Sequence, residues 1–352
     1  MRYHRVRSSA LVRAFGRAVL LYWCVLSLTF ALLRLAPGDP ATFLLPPGAT
    51  ASDAVRMRAE LGLDRSIAVQ YAWWLRESLG GQLGSSFTDR RPVRAVIGDA
   101  LPVSIGLGAA SLLLSFVAGT CAGLVQAARR GSRIDVALTI ASVVLVASPA
   151  YWLGLGAIAC FTYLASSWSL PLMLRLPAIG MSTPGAELHG LAHLADLARH
   201  AILPVTLLAA IGAGGVARYV RTGALDAMNA DWMRTARAKG ARESRVYGHH
   251  LLANLRAPLL TLFALALPGT VAGSVFVETI FAWPGMGRLM VTSIVARDYP
   301  VVMGCAATFA ALVIIATLLA EALLPWAVPR VRSGAPACSD RRAEASGWRS
   351  RC

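Results

Sequence analysis

Four stretches of this chain carry no charged residue over lengths that can cross a lipid bilayer: 100 to 128, 136 to 174, 257 to 277 and 299 to 320. A helix rises about 1.5 Å per residue, so about 20 apolar residues span the hydrocarbon core. Two shorter runs, 18 to 33 and 201 to 217, complete a crossing if the flanking arginines extend their side chains to the headgroups. Composition agrees, since 56% of residues are hydrophobic and only 15% charged, with a mean hydropathy of +0.58. A soluble domain of ordinary make-up is excluded. The expectation is an all-α integral membrane protein with six transmembrane helices.

Charge sets the orientation. With the N-terminus inside, the inner segments carry Arg2, Arg5, Arg7, Arg13 and Arg17, then Arg129, Arg130 and Arg133, then eight Arg or Lys between 218 and 256, then six beyond 326. The same segments hold only six acids, so the whole surplus of +16 lies on one side, as the positive-inside rule expects of the cytoplasmic face. Topology and anionic headgroups thus account for a pI near 10.7 without nucleic acid. Cysteine labelling from the outer face is expected to reach a probe at Ser52 and to miss one at Ser244; the reverse pattern would overturn this topology.

Three parts follow along the chain. Residues 1 to 93 hold a basic N-terminal tail, the first transmembrane helix and a long outer loop. That loop carries Val69, Tyr71, Trp73, Trp74 and Leu75, which predict a packed segment with the tryptophans as loop core or interfacial anchors. Residues 94 to 328 hold five helices and a basic loop, and 329 to 352 form a polar cytoplasmic tail. The third span contains Pro149 and Pro171, predicting a kink near Ser148 and an end before Pro171. The first apolar stretch lacks a small-residue cleavage pattern and is expected to remain as an anchor. Cys24, Cys121, Cys160 and Cys305 fall in spans, Cys338 and Cys352 in the tail. A disulfide would not persist there, and no metal-ligand spacing links the six.

The basic segment 231 to 258 stands out because a membrane protein has little use for so polar an insertion unless it meets something in the cytoplasm. Asp231 is read as an N-cap, Trp232 to Lys239 as a helix with basic residues toward its C-terminal end, and Gly240 as its left-handed stop. A second short helix is expected from about Glu243 to Leu252. Spacing alone leaves two readings open, a docking element or an amphipathic segment resting on headgroups.

ArgThrAlaArgAlaLysGly at 234 to 240 resembles the EAA loop of ABC importer permeases, in the form found in the dipeptide, oligopeptide and nickel permease family. LeuArgLeuAlaProGlyAspPro at 33 to 40, LeuGlyLeuAsp at 61 to 64 with ValGlnTyr at 69 to 71, SerProAlaTyrTrpLeuGlyLeu at 148 to 155, ValGluThrIlePheAlaTrpProGlyMetGlyArg at 277 to 288 and AlaArgAspTyrProValValMetGly at 296 to 304 are similar to the same family, in order. Ordered blocks of this kind are far more specific than one short motif.

The resemblance implies a type I ABC importer permease fold in the bacterial inner membrane. It also implies three kinds of partner besides membrane lipid: a second homologous permease, two cytoplasmic ATPase subunits and an extracytoplasmic solute-binding protein. In such permeases the EAA helix sits in a groove of the ATPase. Here it maps to Asp231, Trp232, Arg234, Thr235, Ala236 and Lys239, with Gly240 at its end, and the EAA triplet falls on Arg234, Thr235 and Ala236. Arg and Thr replace Glu and Ala of the general consensus, as is usual in the peptide branch. Val328 stands before Pro329 where the branch often has Asp.

Other candidate sites have simpler explanations. His189 and His193 stand four apart, with His200 beyond, a spacing that could hold a metal such as nickel. Gly190 weakens a helix there, and ordinary loop histidines are the expectation; no metal, cofactor or catalytic residue is assigned. Glu278 is a candidate pathway residue, because an acid near the membrane is costly and often marks function; a position at the interface beside Arg288 is the alternative. His249 and His250 are placed against headgroups or a partner. No GxxxxGK[ST] phosphate loop occurs, so ATP would be hydrolysed by a partner. No GxSxG or HExxH supports an intramembrane enzyme, and a stand-alone secondary transporter would show inverted repeats and mid-span charges. A permease subunit for di- and oligopeptides is the leading reading. Nickel or another small solute is the alternative.

Overall fold

The computed structural model describes residues 2–35, 45, 48–60, 62–171, 175–228 and 230–327. The block at 36 to 40, the Val328 and Pro329 departure and the tail with Cys338 and Cys352 lie outside them. Apart from one isolated β-bridge between Ser85 and Pro92, the described residues build helices and connections. Six helices are long and apolar enough to cross a membrane, as the uncharged runs predict.

Helix α1 (Arg2–Leu35) is continuous, so the basic N-terminal residues extend the first span. After it come α2 (Ala51–Glu60) and α3 (Ile67–Leu79), which give the expected packed loop its form. Thr50 and Asp53 start α2 reciprocally: Thr50 N–H donates to Asp53 Oδ2 at 2.9 Å and Asp53 N–H to Thr50 Oγ1 at 3.3 Å, a capping box that satisfies two of the helix's orphan donors. Helix α3 lies on α1 through aromatic side chains. Trp74 stacks on Phe30 at 5.7 Å, Tyr71 meets the same ring edge-on at 5.3 Å, and the Tyr71 hydroxyl pairs with Ser27 Oγ at 2.6 Å. Trp73 stays largely exposed.

Helix α4 (Val93–Ala128) starts at Pro92, whose missing N–H costs nothing at a helix start. At 36 residues it is about 54 Å long and links the two ends of the bundle. Near its first turns Val93, Ile97 and Ala100 pack with Met286, Val301 and Cys305; near its last, Ala127 packs with Val216, Val220 and Met233. Helix α5 (Arg133–Ala147) and α6 (Ala150–Ile158) replace the expected kinked third span with a full break. Ser148, preceding Pro149, is extended with ψ 136°, because the proline ring disfavours helical geometry there. Beyond α6 the chain winds into a wide π-type turn (Ala159–Leu164) before ending at Ser167. Within that turn Phe161 carbonyl accepts from Leu176 N–H at 2.9 Å and Thr162 Oγ1 donates back to Leu176 carbonyl at 2.8 Å.

Helix α7 (Leu191–Met228) is far longer than the 17-residue run suggested, since it continues through charged turns at both ends. It lies closely against α4. A Cβ at Gly119 would come 2.7 Å from Ala213 carbonyl, and one at Gly123 would come 2.6 Å from Ala217 carbonyl. Glycines spaced four apart allow this approach of two backbones. Helix α8 (Asp231–Ala238) is followed by a helical turn (Glu243–Arg245) and a π-type turn (Val246–Leu251) that run directly into α9 (Leu252–Gly273). The expected separate second loop helix is therefore the entry of the fifth span. That span breaks at Ser274 and resumes as α10 (Val275–Ile280); α11 (Met286–Val295) and α12 (Tyr299–Ala327) complete the chain.

Candidate functional site

Among its described side chains helix α8 has one apolar anchor and a polar outer side. Met233 is fully buried among Ala127 of α4, Val216, Val220 and Ala224 of α7, and Val246, Leu251 and Leu255 at the start of the fifth span. Asp231, Arg234, Thr235, Arg237 and Lys239 are exposed. Trp232 and Ala236 belong to the same helix, but their side chains lie outside the described set. Burying a methionine is worth about 2 kcal/mol, which suffices to seat a short helix that could not persist alone. The anchor contacts three spans together.

The sequence places Asp231 as the N-cap, but the structure puts Ala230 there, extended at ψ 147° and without a side-chain cap. Asp231 is the first helical residue, where its charge still complements the helix dipole. Gly240 adopts φ +75° and returns its N–H to Arg237 carbonyl at 2.9 Å, so the predicted left-handed stop is present. Across this turn Arg237 Nε donates to Glu243 Oε1 at 2.9 Å, and that bond, with the carboxylate charge, raises the guanidinium pKa. Both side chains are well exposed, so the pair orders the turn more than it stabilises the fold.

Asp135 at the start of α5 receives Arg221 of α7 in a two-pronged pair, Nε to Oδ1 at 2.8 Å and Nη2 to Oδ2 at 2.9 Å, with Gly131 N–H adding a bond at 3.0 Å. Planar guanidinium geometry suits this fork. It ties α5 to α7 beside the basic end.

Glu278 lies at the opposite end of the bundle and is fully buried. Its Oε1 accepts from Ser104 Oγ of α4 at 2.8 Å; its Oε2 accepts from Gly287 N–H at 2.7 Å and Arg288 N–H at 3.3 Å, the first-turn donors of α11. Ser104 Oγ also accepts from Met286 N–H at 2.7 Å. The Arg288 guanidinium turns away, to Ala282 carbonyl at 2.5 Å. A Cβ on Gly287 would come 2.5 Å from Val275 Cα, and Gly285 closes directly on the Glu278 carboxyl. The glycines of the 277 to 288 block thus make room for a carboxyl that caps a helix and latches α4, α10 and α11. A similar device stands nearby. Asp298, also buried, accepts from Ser86 Oγ at 2.5 Å, Thr88 N–H at 3.1 Å and Val301 N–H at 3.4 Å, holding the start of α12 to the loop before α4.

The three outer histidines do not converge. His189 faces Glu187 carbonyl at 3.1 Å, and His200 is buried with Nδ1 on Asp196 carbonyl at 2.8 Å. No cluster of three metal-ligating side chains occurs among the described residues. Sequence reasoning did not single out Met233, Ser104, Asp298 or the Asp135–Arg221 pair. Met233 could have been read as the one long unbranched apolar side chain in 231 to 240; the other three depend on partners 86 to 212 positions away and left no local signal.

The chain matches two family models. Residues 119–333 match the inner membrane component of binding-protein-dependent transport systems, and residues 8–108 match the N-terminal part of such membrane components. A putative peptide permease protein of Brucella suis is 35% identical over 308 residues, covering 87% of this chain and 93% of the relative. The oligopeptide transport system permease protein AppB of Bacillus subtilis is 35% identical over 305 residues, covering 86% and 93%. A di/tripeptide transport system permease protein, DppB of Pseudomonas aeruginosa, is 35% identical over 338 residues, covering 92% and 98%.

Proposed function

The chain belongs to the family of binding-protein-dependent transport system inner membrane components, and from that premise we propose that it is the permease subunit of an ATP-driven importer of di- and oligopeptides. The similarity to peptide permeases over most of the chain carries this reading. The partners it requires are a second homologous permease completing the pathway, two cytoplasmic ATPase subunits and an extracytoplasmic solute-binding protein. The N-terminal helix with its outer insert, up to about residue 93, forms one part, and the five helices from 94 to 328 form the permease core.

Helix α8 is the element that meets the ATPase. Its side chains Asp231, Arg234, Thr235 and Lys239 are presented outward, while Met233 couples it to α4, α7 and the fifth span. Movement of the ATPase tilts α8, and α4 carries the displacement to its far end, where Ser104 is bonded to Glu278. Glu278 then acts as a strut holding the outer helices to α4, which gives it a role in the pathway's shape without contact with the solute.

Gly240 tests the coupling step. No atom lies within 4 Å of a Cβ at this position, so Val there meets no steric clash but must occupy a left-handed conformation at a cost of about 1–2 kcal/mol. Gly240→Val is expected to insert and assemble with its ATPases, yet to lose most solute-stimulated uptake. Gly240→Asn, which tolerates that conformation, should restore it. Full uptake by the Val variant would remove α8 from the coupling path.

A further inference from the structure

A cavity of about 750 Å3 opens at the end of the bundle opposite the basic loop, between the last turn of the first span, the α2–α3 insert and the start of α12. Its apolar wall includes Phe30, Trp73, Trp74 and Met303, and its polar lining includes Arg65, Arg90 and Glu77. Two other charged liners have partners: Glu60 pairs with Arg56 at 3.1 Å, and Arg34 lies over the Phe30 ring at 5.3 Å. One further group points to a ligand. Gln70 is nine-tenths buried and lines the cavity, its Nε2 donates to Leu63 and Arg65 carbonyls at 3.3 Å and 2.6 Å, and its buried Oε1 accepts from no described group. A buried acceptor left without a donor is costly unless a ligand or water supplies one.

We propose that this cavity binds one zwitterionic aminophospholipid of the outer leaflet, with the phosphate at Arg65 and Arg90 and the ammonium at Glu77 and Gln70 Oε1. The depth fits. The cavity sits at the end of the 20-residue apolar helix Gly16–Leu35, where headgroups begin, and aromatic side chains are favoured at that level. The neighbouring α1 surface carries exposed Leu28, Leu32 and Leu35, a path along which acyl chains can lie. Arginines match phosphate oxygens in fork geometry. An acid and an amide oxygen beside them discriminate a headgroup carrying an ammonium from a purely anionic one. The proposal rests on the chain being embedded in a membrane with this end outside.

The complete importer, reconstituted in discs of equal parts phosphatidylethanolamine and phosphatidylglycerol, allows a direct test with a photoreactive group at the glycerol end of an acyl chain, on one lipid at a time. The phosphatidylethanolamine probe should give adducts on Trp73, Trp74 or Met303. In R65Q/R90Q that yield should fall about tenfold or more, as expected for losing two charge-assisted contacts, while adducts at Trp168, exposed at the end of the third span, stay constant. E77Q should shift labelling toward phosphatidylglycerol, and this readout survives if the double variant fails to assemble. Absence of cavity adducts in the unmodified importer, or unchanged labelling in the variants, would overturn the proposal. Displacement of the adducts by free tripeptide would overturn it in favour of a peptide subsite.

Discussion

Replacing Glu278 by Ala is expected to lower the stability of the protein by about 3 kcal/mol, because Ser104 Oγ, Gly287 N–H and Arg288 N–H all lose their acceptor inside a closed site. The measurement is the thermal midpoint of the detergent-solubilised importer, followed by retention of its oligomeric peak. Glu278→Gln should cost only about 1 kcal/mol. Its amide oxygen can still accept from the α11 N–H groups, and its NH2 can donate to Ser104 Oγ. The pair of variants separates the strut from a solute-contacting acid. A strut predicts that Gln keeps uptake and Ala loses assembly; a pathway carboxylate would predict that Gln assembles normally and fails to transport.

An equally large effect is expected where α4 crosses α7. Leu at Gly123 would have to displace Ala217 carbonyl and Val220, which already lie 2.6 and 2.7 Å from the place a Cβ would take. Neither helix can move without breaking the packing around Ala127 and Val216. Overpacking at a backbone contact costs about 3 kcal/mol, so Gly123→Leu should leave little folded protein after extraction. Gly215→Ala, in α7 but facing open space, should be neutral or slightly stabilising, since Ala favours a helix over Gly by up to about 1 kcal/mol. Equal tolerance at the two positions, measured as yield of monodisperse protein, would mean the helices do not approach as closely as described.

These two sites show what was legible in the sequence and what was not. The crossings could be read from uncharged runs because hydropathy is a local property, and Gly240 could be read as a stop because left-handed geometry belongs to single residues. The break at Ser148 was visible in Pro149 for the same reason, although the proline's effect was a full interruption instead of a kink. Helix ends were less legible. Helix α7 runs through Arg199 and Arg218, since charged residues end an apolar run without ending a helix. The contacts of Glu278 were hidden because they depend on Ser104, 174 positions earlier, although Gly285 and Gly287 beside it marked a place where backbone and carboxyl come close. The tight pair at Gly119 and Gly123 emerged only from the fold, although glycines four apart are one sign of close helix packing. Arg221 looked like one more inner basic residue, and only the fold brings it to Asp135.

Docking of α8 on an ATPase subunit, the coupling step proposed for this permease, is tested most directly by a photo-cross-linking residue placed at Thr235. Thr235 is exposed on α8 and donates its hydroxyl only to Asp231 carbonyl of its own helix, so the replacement should leave the fold intact. In the assembled importer, irradiation is expected to join this position to an ATPase subunit, with the same probe at Ser52 giving no such product. Cross-links from Thr235 to lipid alone, in an assembly that retains its ATPases and its uptake, would contradict the claim and return α8 to the role of a helix resting on headgroups.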